Sequence, residues 1–155
     1  MKVTIVAVGQ RQPAWVDDAV AEYLARFPPD FEVRLVEVKT EARSGQTVQK
    51  TLAAEAQRLQ AAIAPASVVV ALDELGKDWT TQQLADQLRR WRDGSERVAF
   101  VIGGPDGLDA DLKRAAALRL RLSSLTLPHA LARVLLAEQL YRAWSILAHH
   151  PYHRA

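Results

Sequence analysis

The chain has 155 residues, which is the size of one domain and enough to bury a core without stabilising cross-links. It contains no cysteine, which excludes disulfides, zinc-thiolate sites and cysteine nucleophiles. The formal net charge is only +2, but residues 112–155 hold seven basic residues and one acid, which indicates either a polyanion partner or chance clustering on a solvated face.

The N-terminal half alternates between strand and helix patterns. Residues 3–8 form an apolar run that is too short for an export signal and predicts a buried strand. Residues 15–27 have helical spacing, and residues 31–38 alternate like a strand with one exposed face. The polar segment 40–47 predicts a mobile loop, and the apolar spacing of residues 48–63 predicts a second helix.

The C-terminal half continues the alternation. A capping box at Thr80 and Gln83 predicts a helix start, and Pro128 suits the first turn of a long helix. In chain order the pattern predicts strand 68–72, loop 73–79, a helix after Thr80 that ends at Asp93-Gly94, strand 98–102, helix 110–116, strand 118–122 and helix 129–148.

This order of elements predicts the fold class α/β, a single domain over residues 1–155 with a mainly parallel sheet flanked by helices. No apolar run approaches the ~20 residues of a membrane helix, so we expect a cytoplasmic protein. In open α/β sheets, ligands bind beyond the carboxyl ends of the strands.

Three strand ends carry unusual residues. Leu72 precedes two acids, and residues 103–107 read Gly-Gly-Pro-Asp-Gly, which fits close approach of a flat ligand or only a tight turn. Residues 122–128 are rich in Leu, Ser and Thr, which suits an adenine ring or an ordinary buried strand end. Residues 103–107 do not match a phosphate-binding loop.

The long helix and the tail hold the remaining candidates. Glu138 and Arg142 are four residues apart and could simply pair. Residues 149–155 contain three histidines, but their basic surroundings disfavour a metal ion. Tyr, His and Arg side chains suit RNA better, through base stacking and phosphate contact, unless the tail is frayed. No Ser-His-Asp arrangement or glycosidase-like carboxylate pair is evident.

Five segments in this order carry a family resemblance: VIGGPDGL (101–108), LTLPH (125–129), RVL (133–135), EQLYRAW (138–144) and PYHR (151–154). With these motifs the chain resembles, over essentially its whole length, the RlmH (YbeA) family. This is the ribosomal RNA large subunit methyltransferase H family, which is part of the SPOUT methyltransferases.

The resemblance implies a homodimer with a deep trefoil knot in its C-terminal half and S-adenosylmethionine held in the knot loops. It implies methylation of N3 of a pseudouridine in helix 69 of 23S rRNA, on the assembled ribosome. The implied cofactor contacts are at the three strand ends: Leu72, Gly103, Leu122, Ser123, Ser124, Leu125, Thr126 and Leu127.

The remaining roles follow from the resemblance and from residue type. Glu138 is a candidate base or orienter, His153 a candidate base or stacking contact, and Arg142 a candidate stabiliser of negative charge. The expected RNA contacts are His129, Arg133, Tyr152 and Arg154, and the tail of one subunit is expected to complete the pocket of the other. Methylation of tRNA and non-catalytic ribosome binding are the alternative functions.

Overall fold

The computed structural model describes residues 1–154. Five strands alternate with five α-helices, and a short 3-10 helix follows. The elements are β1 (Lys2–Val8), α1 (Ala14–Leu24), β2 (Glu32–Val38), α2 (Val48–Ala62), β3 (Val68–Asp78), α3 (Thr81–Asp93), β4 (Arg97–Ile102), α4 (Ala110–Ala115), β5 (Leu118–Arg121), α5 (His129–Leu147) and the 3-10 helix Pro151–Arg154.

The strands form one sheet in the order β2-β1-β4-β3-β5, and every paired neighbour is parallel. The register places Ile5 beside Leu35 on one side and beside Phe100 on the other. Because all strands run the same way, their carboxyl ends lie at one edge of the sheet. β4, β3 and β5 are adjacent there, which brings the three strand ends singled out in the sequence together.

Helices cover both faces of the sheet, as the apolar composition of the strands requires. Side chains of β1 alternate between the two cores, with Ile5 in one and Val6 in the other. Leu88 of α3 and Leu140 of α5 pack in the first core, and Leu59 of α2 packs in the second. The predicted α/β class with a mainly parallel sheet flanked by helices is therefore confirmed.

Most predicted elements are confirmed to within a few residues, including the capping box, in which Thr80 and Gln83 bond reciprocally. The prediction of a loop over 73–79 was wrong, because β3 continues to Asp78. Leu120 pairs first with Leu72 and then with Lys77, so the intervening residues bulge out of the ladder. The sequence pattern did not predict this extension, because residues 73–78 are mostly polar and strands were recognised by their apolar runs.

No helix within residues 1–154 combines the length and apolar character needed to cross a membrane.

Candidate functional site

A cavity of about 460 Å³ lies at the carboxyl ends of β3, β4 and β5. This volume is within the usual range for sites that hold a cofactor-sized ligand. The cavity is lined by Leu72, Asp73, Glu74, Ile102, Gly103, Gly104, Pro105, Asp106, Gly107, Leu108, Lys113, Leu120, Arg121, Leu122, Ser123, Leu125, Thr126, Leu127, Pro128, His129 and Ala132.

One wall is the turn of residues 103–107, which closes tightly on itself. The Gly107 amide donates to the Gly104 carbonyl at 3.0 Å, and Gly107 has a φ of +81°, which favours glycine. A Cβ at Gly103 would lie 2.3 Å from the Gly107 carbonyl oxygen, so only glycine fits there. Gly103 and Gly104 therefore form a compact wall of backbone from which no side chain extends into the cavity.

The loop of residues 122–127 also lines the cavity, through every residue except Ser124, and combines apolar side chains with backbone donors and acceptors. The Leu125 amide donates to Ser123 Oγ at 2.9 Å, which fixes the bend of the loop. The Leu125 side chain is 75% exposed, which is unusual for leucine. An apolar loop of this kind can cover the face of a flat ring while its backbone meets the ring edge.

Acidic and basic side chains both line the cavity. The Asp73 side chain is only 7% exposed, and its nearest cation is Lys113 Nζ at 3.8 Å. Glu74 and Asp106 also line the cavity and are exposed. The lining therefore offers carboxylates to a positively charged part of a ligand and cations to a negatively charged part.

His129 opens α5 at the edge of the cavity, and burial together with the nearby charge of Arg133 lowers its pKa. Arg133 lies one turn further on and is 1% exposed. Its Nη2 donates to the carbonyl oxygens of Val8 and Gly9 at 3.0 and 2.7 Å, and its Nη1 pairs with Glu37.

A second polar cluster lies further along α5. Arg142 Nη2 lies 2.9 Å from Glu138 Oε2, and the Tyr152 hydroxyl donates to the same oxygen at 2.7 Å. Glu138 Oε1 accepts from the Gln139 amide at 2.8 Å. The Glu138 hydrogen bond is the main reason that the pKa of Arg142 is raised. Both carboxylate oxygens of Glu138 thus receive donors.

The 3-10 helix folds the tail back onto this cluster. The rings of Tyr152 and Tyr141 pack edge to face with centroids 4.7 Å apart, and the Arg142 guanidinium lies over the Tyr152 ring. Burial raises the pKa of Tyr152, with further contributions from Tyr23 and Glu138. His153 Nδ1 is buried and makes no hydrogen bond to any residue in 1–154.

The structure brings the strand-end candidates together and separates them from the α5 candidates. The cavity is lined by seven of the eight predicted cofactor contacts, all except Ser124, and by His129. Glu138, Arg142, Tyr152, His153 and Arg154 do not line it. An α-helix rises 1.5 Å per residue, so Glu138 lies about 14 Å along α5 from His129.

Two parts of the site differ from the sequence-based expectation. Arg133 was expected to contact RNA, but its guanidinium is buried against backbone carbonyls and Glu37, which argues against direct contact. Lys113 lines the cavity although no motif singled it out. No sequence signal could have found it, because Lys113 meets Asp73 only in the folded chain, 40 residues away along the sequence. No group of three metal-ligating side chains occurs in the part of the chain that the structure describes.

The parallel sheet and the cavity at its carboxyl edge are features of α/β proteins that bind a ligand at the strand ends. Residues 1–153 match the family model described as "Predicted SPOUT methyltransferase", and the chain belongs to the SPOUT methyltransferase family.

Known proteins of this kind are similar over the whole chain. The chain is 58% identical over 156 aligned residues, covering all of both chains, to the ribosomal RNA large subunit methyltransferase H of Burkholderia thailandensis. A Bordetella pertussis structure described as a probable methyltransferase is 22% identical and has a TM-score of 0.58, covering 91% of this chain and 95% of its own.

A Legionella pneumophila protein solved with the bound cofactor SAM is 12% identical and has a TM-score of 0.50, covering 93% of this chain and 66% of its own. These two distant structures share the fold.

Proposed function

We propose that this protein transfers the methyl group of S-adenosylmethionine to N3 of a pseudouridine in helix 69 of 23S rRNA. The observation that carries the proposal is the 58% identity, over the full length of both chains, to a ribosomal RNA large subunit methyltransferase H. The assembled ribosome is the proposed substrate, and the cytoplasm is the proposed location.

The cavity fits the cofactor in size and in chemistry. S-adenosylmethionine combines a flat adenine ring with a positively charged sulfonium and an amino-acid end that carries both an ammonium and a carboxylate group. The loop of residues 122–127 offers the apolar surface for the ring, and the backbone at Leu72 and Gly103 lies beside it. Asp73 and Glu74 of the lining offer carboxylates to the sulfonium and the ammonium group, and Lys113 offers a cation to the carboxylate. The loaded cofactor would provide an activated methyl group; the protein contributes binding and orientation.

The attacking nitrogen must lose a proton, since N3–H of a uracil ring is a weakly acidic imide. In this proposal Glu138 is an orienter rather than the base, because Arg142, Tyr152 and Gln139 already donate to its oxygens. Arg142, held by Glu138, stabilises negative charge on the ring oxygens. His153 is the remaining candidate base, and its buried Nδ1 has no partner within residues 1–154.

The separation of these side chains from the cavity supports a homodimer with shared sites. Within one chain, Glu138 lies about 9 Å along α5 beyond Ala132, the last residue of this helix that lines the cavity. A second copy could bring its tail to the cavity, and exposed apolar side chains offer surface for it to cover, namely Leu75 and Leu125. The C-terminal knot belongs to the same proposal.

RNA binding is assigned to groups that remain accessible. Arg154 is exposed, and His129 is half-buried at the cavity edge. The Tyr152 ring is packed against Tyr141, so its contribution is to hold the tail in place, and direct stacking on a base would need the ring to move. Arg133 stabilises α5 through its buried contacts with Val8, Gly9 and Glu37 and is not part of the RNA contact.

Mass analysis of helix 69 tests the proposal. Ribosomal RNA from a strain that lacks the gene should contain an unmethylated pseudouridine, and restoring the gene should return the added methyl group. Purified protein with labelled S-adenosylmethionine should transfer label to 23S rRNA of ribosomes from the deletion strain. Label that appears only in tRNA, or methylation of helix 69 that persists without the gene, would contradict the assignment.

A further inference from the structure

Arg43 joins two carboxylates that belong to distant parts of the chain. It lies in the loop that precedes α2. Its Nη1 donates to Glu55 Oε2 at 2.8 Å, and its Nε donates to Asp106 Oδ2 at 3.2 Å. Glu55 belongs to α2, whereas Asp106 belongs to the turn that lines the cavity. One guanidinium therefore connects the second helix to the cavity wall.

The position of Arg43 is fixed by Glu55, whose side chain is 2% exposed. A buried carboxylate is strongly unfavourable without a cation and hydrogen-bond donors. Glu55 Oε2 also accepts from the Glu41 amide at 3.1 Å, and Arg43 Nη1 donates to the Glu41 carbonyl at 2.7 Å. The loop is thus closed around a buried ion pair, which holds the guanidinium in one orientation.

The Arg43 guanidinium also packs against the turn of residues 103–107, on the side that faces away from the cavity. Arg43 Nη2 is buried and makes no hydrogen bond within residues 1–154. A Cβ built on Gly104 would lie 3.8 Å from Nη2 and 3.1 Å from the Val8 side chain. Gly104 lines the cavity and Arg43 does not. Arg43 therefore packs on the outer side of the wall whose inner side faces the ligand.

We propose that Arg43 is a positioning residue for cofactor binding, which holds the turn of residues 103–107 in its binding-competent shape. The loop of residues 40–47 then sets the affinity of a cavity that it does not line. The inference rests on the proposed function insofar as S-adenosylmethionine binds in this cavity.

Arg58 provides a matched control. It donates to Glu41 Oε2 at 2.7 Å and to the Lys39 carbonyl at 3.1 Å, so it joins α2 to the same loop. Neither of these hydrogen bonds reaches the turn of residues 103–107. Arg58→Gln should therefore perturb the loop without releasing the turn.

The first experiment needs no cofactor. Arg43→Gln alone would leave Glu55 buried without its cation, so Arg43→Gln is combined with Glu55→Gln to remove both charges. Amide hydrogen exchange at Gly107, whose N–H bonds to the Gly104 carbonyl, should be about tenfold faster in this double variant and in Asp106→Asn. It should stay unchanged in Arg58→Gln. Unchanged exchange in both test variants, or equal acceleration in the control, would overturn the proposal.

The second experiment measures S-adenosylmethionine binding by calorimetry. The dissociation constant should rise about tenfold in the double variant, as expected for one charge-assisted hydrogen bond, and by less than about twofold in Arg58→Gln. When Asp106→Asn is already present, adding Arg43→Gln and Glu55→Gln should raise the dissociation constant little further. Both sets of changes break the same contact between Arg43 and Asp106. Additive losses would show that Arg43 does not act through Asp106.

Kinetics separate positioning from general damage. In the double variant the KM for S-adenosylmethionine should rise while kcat at saturating cofactor stays within about twofold, because only the binding wall is loosened. A fall in kcat with unchanged KM would contradict the inference. If the wild-type protein binds no S-adenosylmethionine, the proposed cofactor fails, and the exchange measurement still decides whether Arg43 holds the turn.

Discussion

At the scale of single residues, Arg133 shows how burial changes the role of a charge. The sequence places it on a basic helix, yet its guanidinium lies inside the protein against Val8, Gly9 and Glu37. Arg133→Met should lower the free energy of unfolding by about 3 kcal/mol or more, because it leaves buried acceptors without their donor. Urea unfolding measures this loss.

The matched control for this prediction is Arg119→Met. Arg119 is exposed and makes no ion pair within residues 1–154, so its replacement should change stability little. If Arg133→Met unfolds like the wild type but binds ribosomes more weakly, then the side chain contacts RNA after all.

His129 carries a pH prediction. Its pKa in the folded chain is lowered from 6.5 by burial and by the Arg133 charge, so folding favours the neutral ring. The stabilisation is fully present above pH 6.5 and is lost as the pH falls from there through the folded pKa. Wild-type stability should therefore drop relative to His129→Gln as the pH falls below 6.5. Urea unfolding across this range, with exposed His149→Asn as control, measures the effect; parallel curves for wild type and His129→Gln would contradict it.

At the scale of elements, the regular pattern of the chain was sufficient to predict the sheet and helices. Apolar runs marked β1, β3 and β4, and the capping box at Thr80 marked the start of α3, because these signals depend only on near neighbours in sequence. The extension of β3 could not be predicted in this way. Its polar residues stay extended because Lys77 and Asp78 pair with β5, which is more than 40 residues away.

Gly76 lies in this bulge and is tested by substitution. A Cβ there would lie 2.8 Å from the backbone of Arg119 and Leu120, so an added methyl group must push β5 away. Gly76→Ala should lower the free energy of unfolding by about 1–3 kcal/mol. It should also weaken S-adenosylmethionine binding, because β5 leads directly into the loop of residues 122–127. Urea unfolding and calorimetry measure the two effects.

Gly94→Ala is the control for this experiment. Its φ is −84°, and a Cβ there would lie no closer than 3.4 Å to another atom, so alanine fits. Equal stability of the Gly76→Ala and Gly94→Ala variants would show that the bulge adapts freely.

At the scale of the whole molecule, the fold pairs much of the basic charge that the sequence concentrates in residues 112–155. Four of the seven basic residues in 112–155 pair with acids from residues 1–111, so much of the excess charge is neutralised by the fold. Arg119 and Arg154 form no ion pair within residues 1–154. A count along the chain cannot report such pairing, since the partners are brought together only by the tertiary structure.

The separation of the cavity from the Glu138 cluster gives the last prediction, which tests the proposed homodimer. One subunit lacking residues 149–155 should lose methylation activity, because it lacks Tyr152 and His153. A Gly103→Ala subunit should lose cofactor binding, because its Cβ would lie 2.3 Å from the Gly107 carbonyl. In a heterodimer of the two, one site keeps an intact cavity and receives an intact tail from the other subunit. Activity should therefore return to about half the wild-type level per dimer, if the sites act independently.

The measurement is methyl transfer to ribosomes by heterodimers purified through two different affinity tags. Each parent homodimer must be folded by circular dichroism and inactive alone. Activity in the heterodimer means that the tail crosses between subunits, because neither chain can supply both halves of a site by itself. An inactive heterodimer would instead mean that each chain uses its own tail. Glu138 would then have to act on its own cavity from a position about 9 Å along α5 beyond Ala132, the last residue of this helix that lines it.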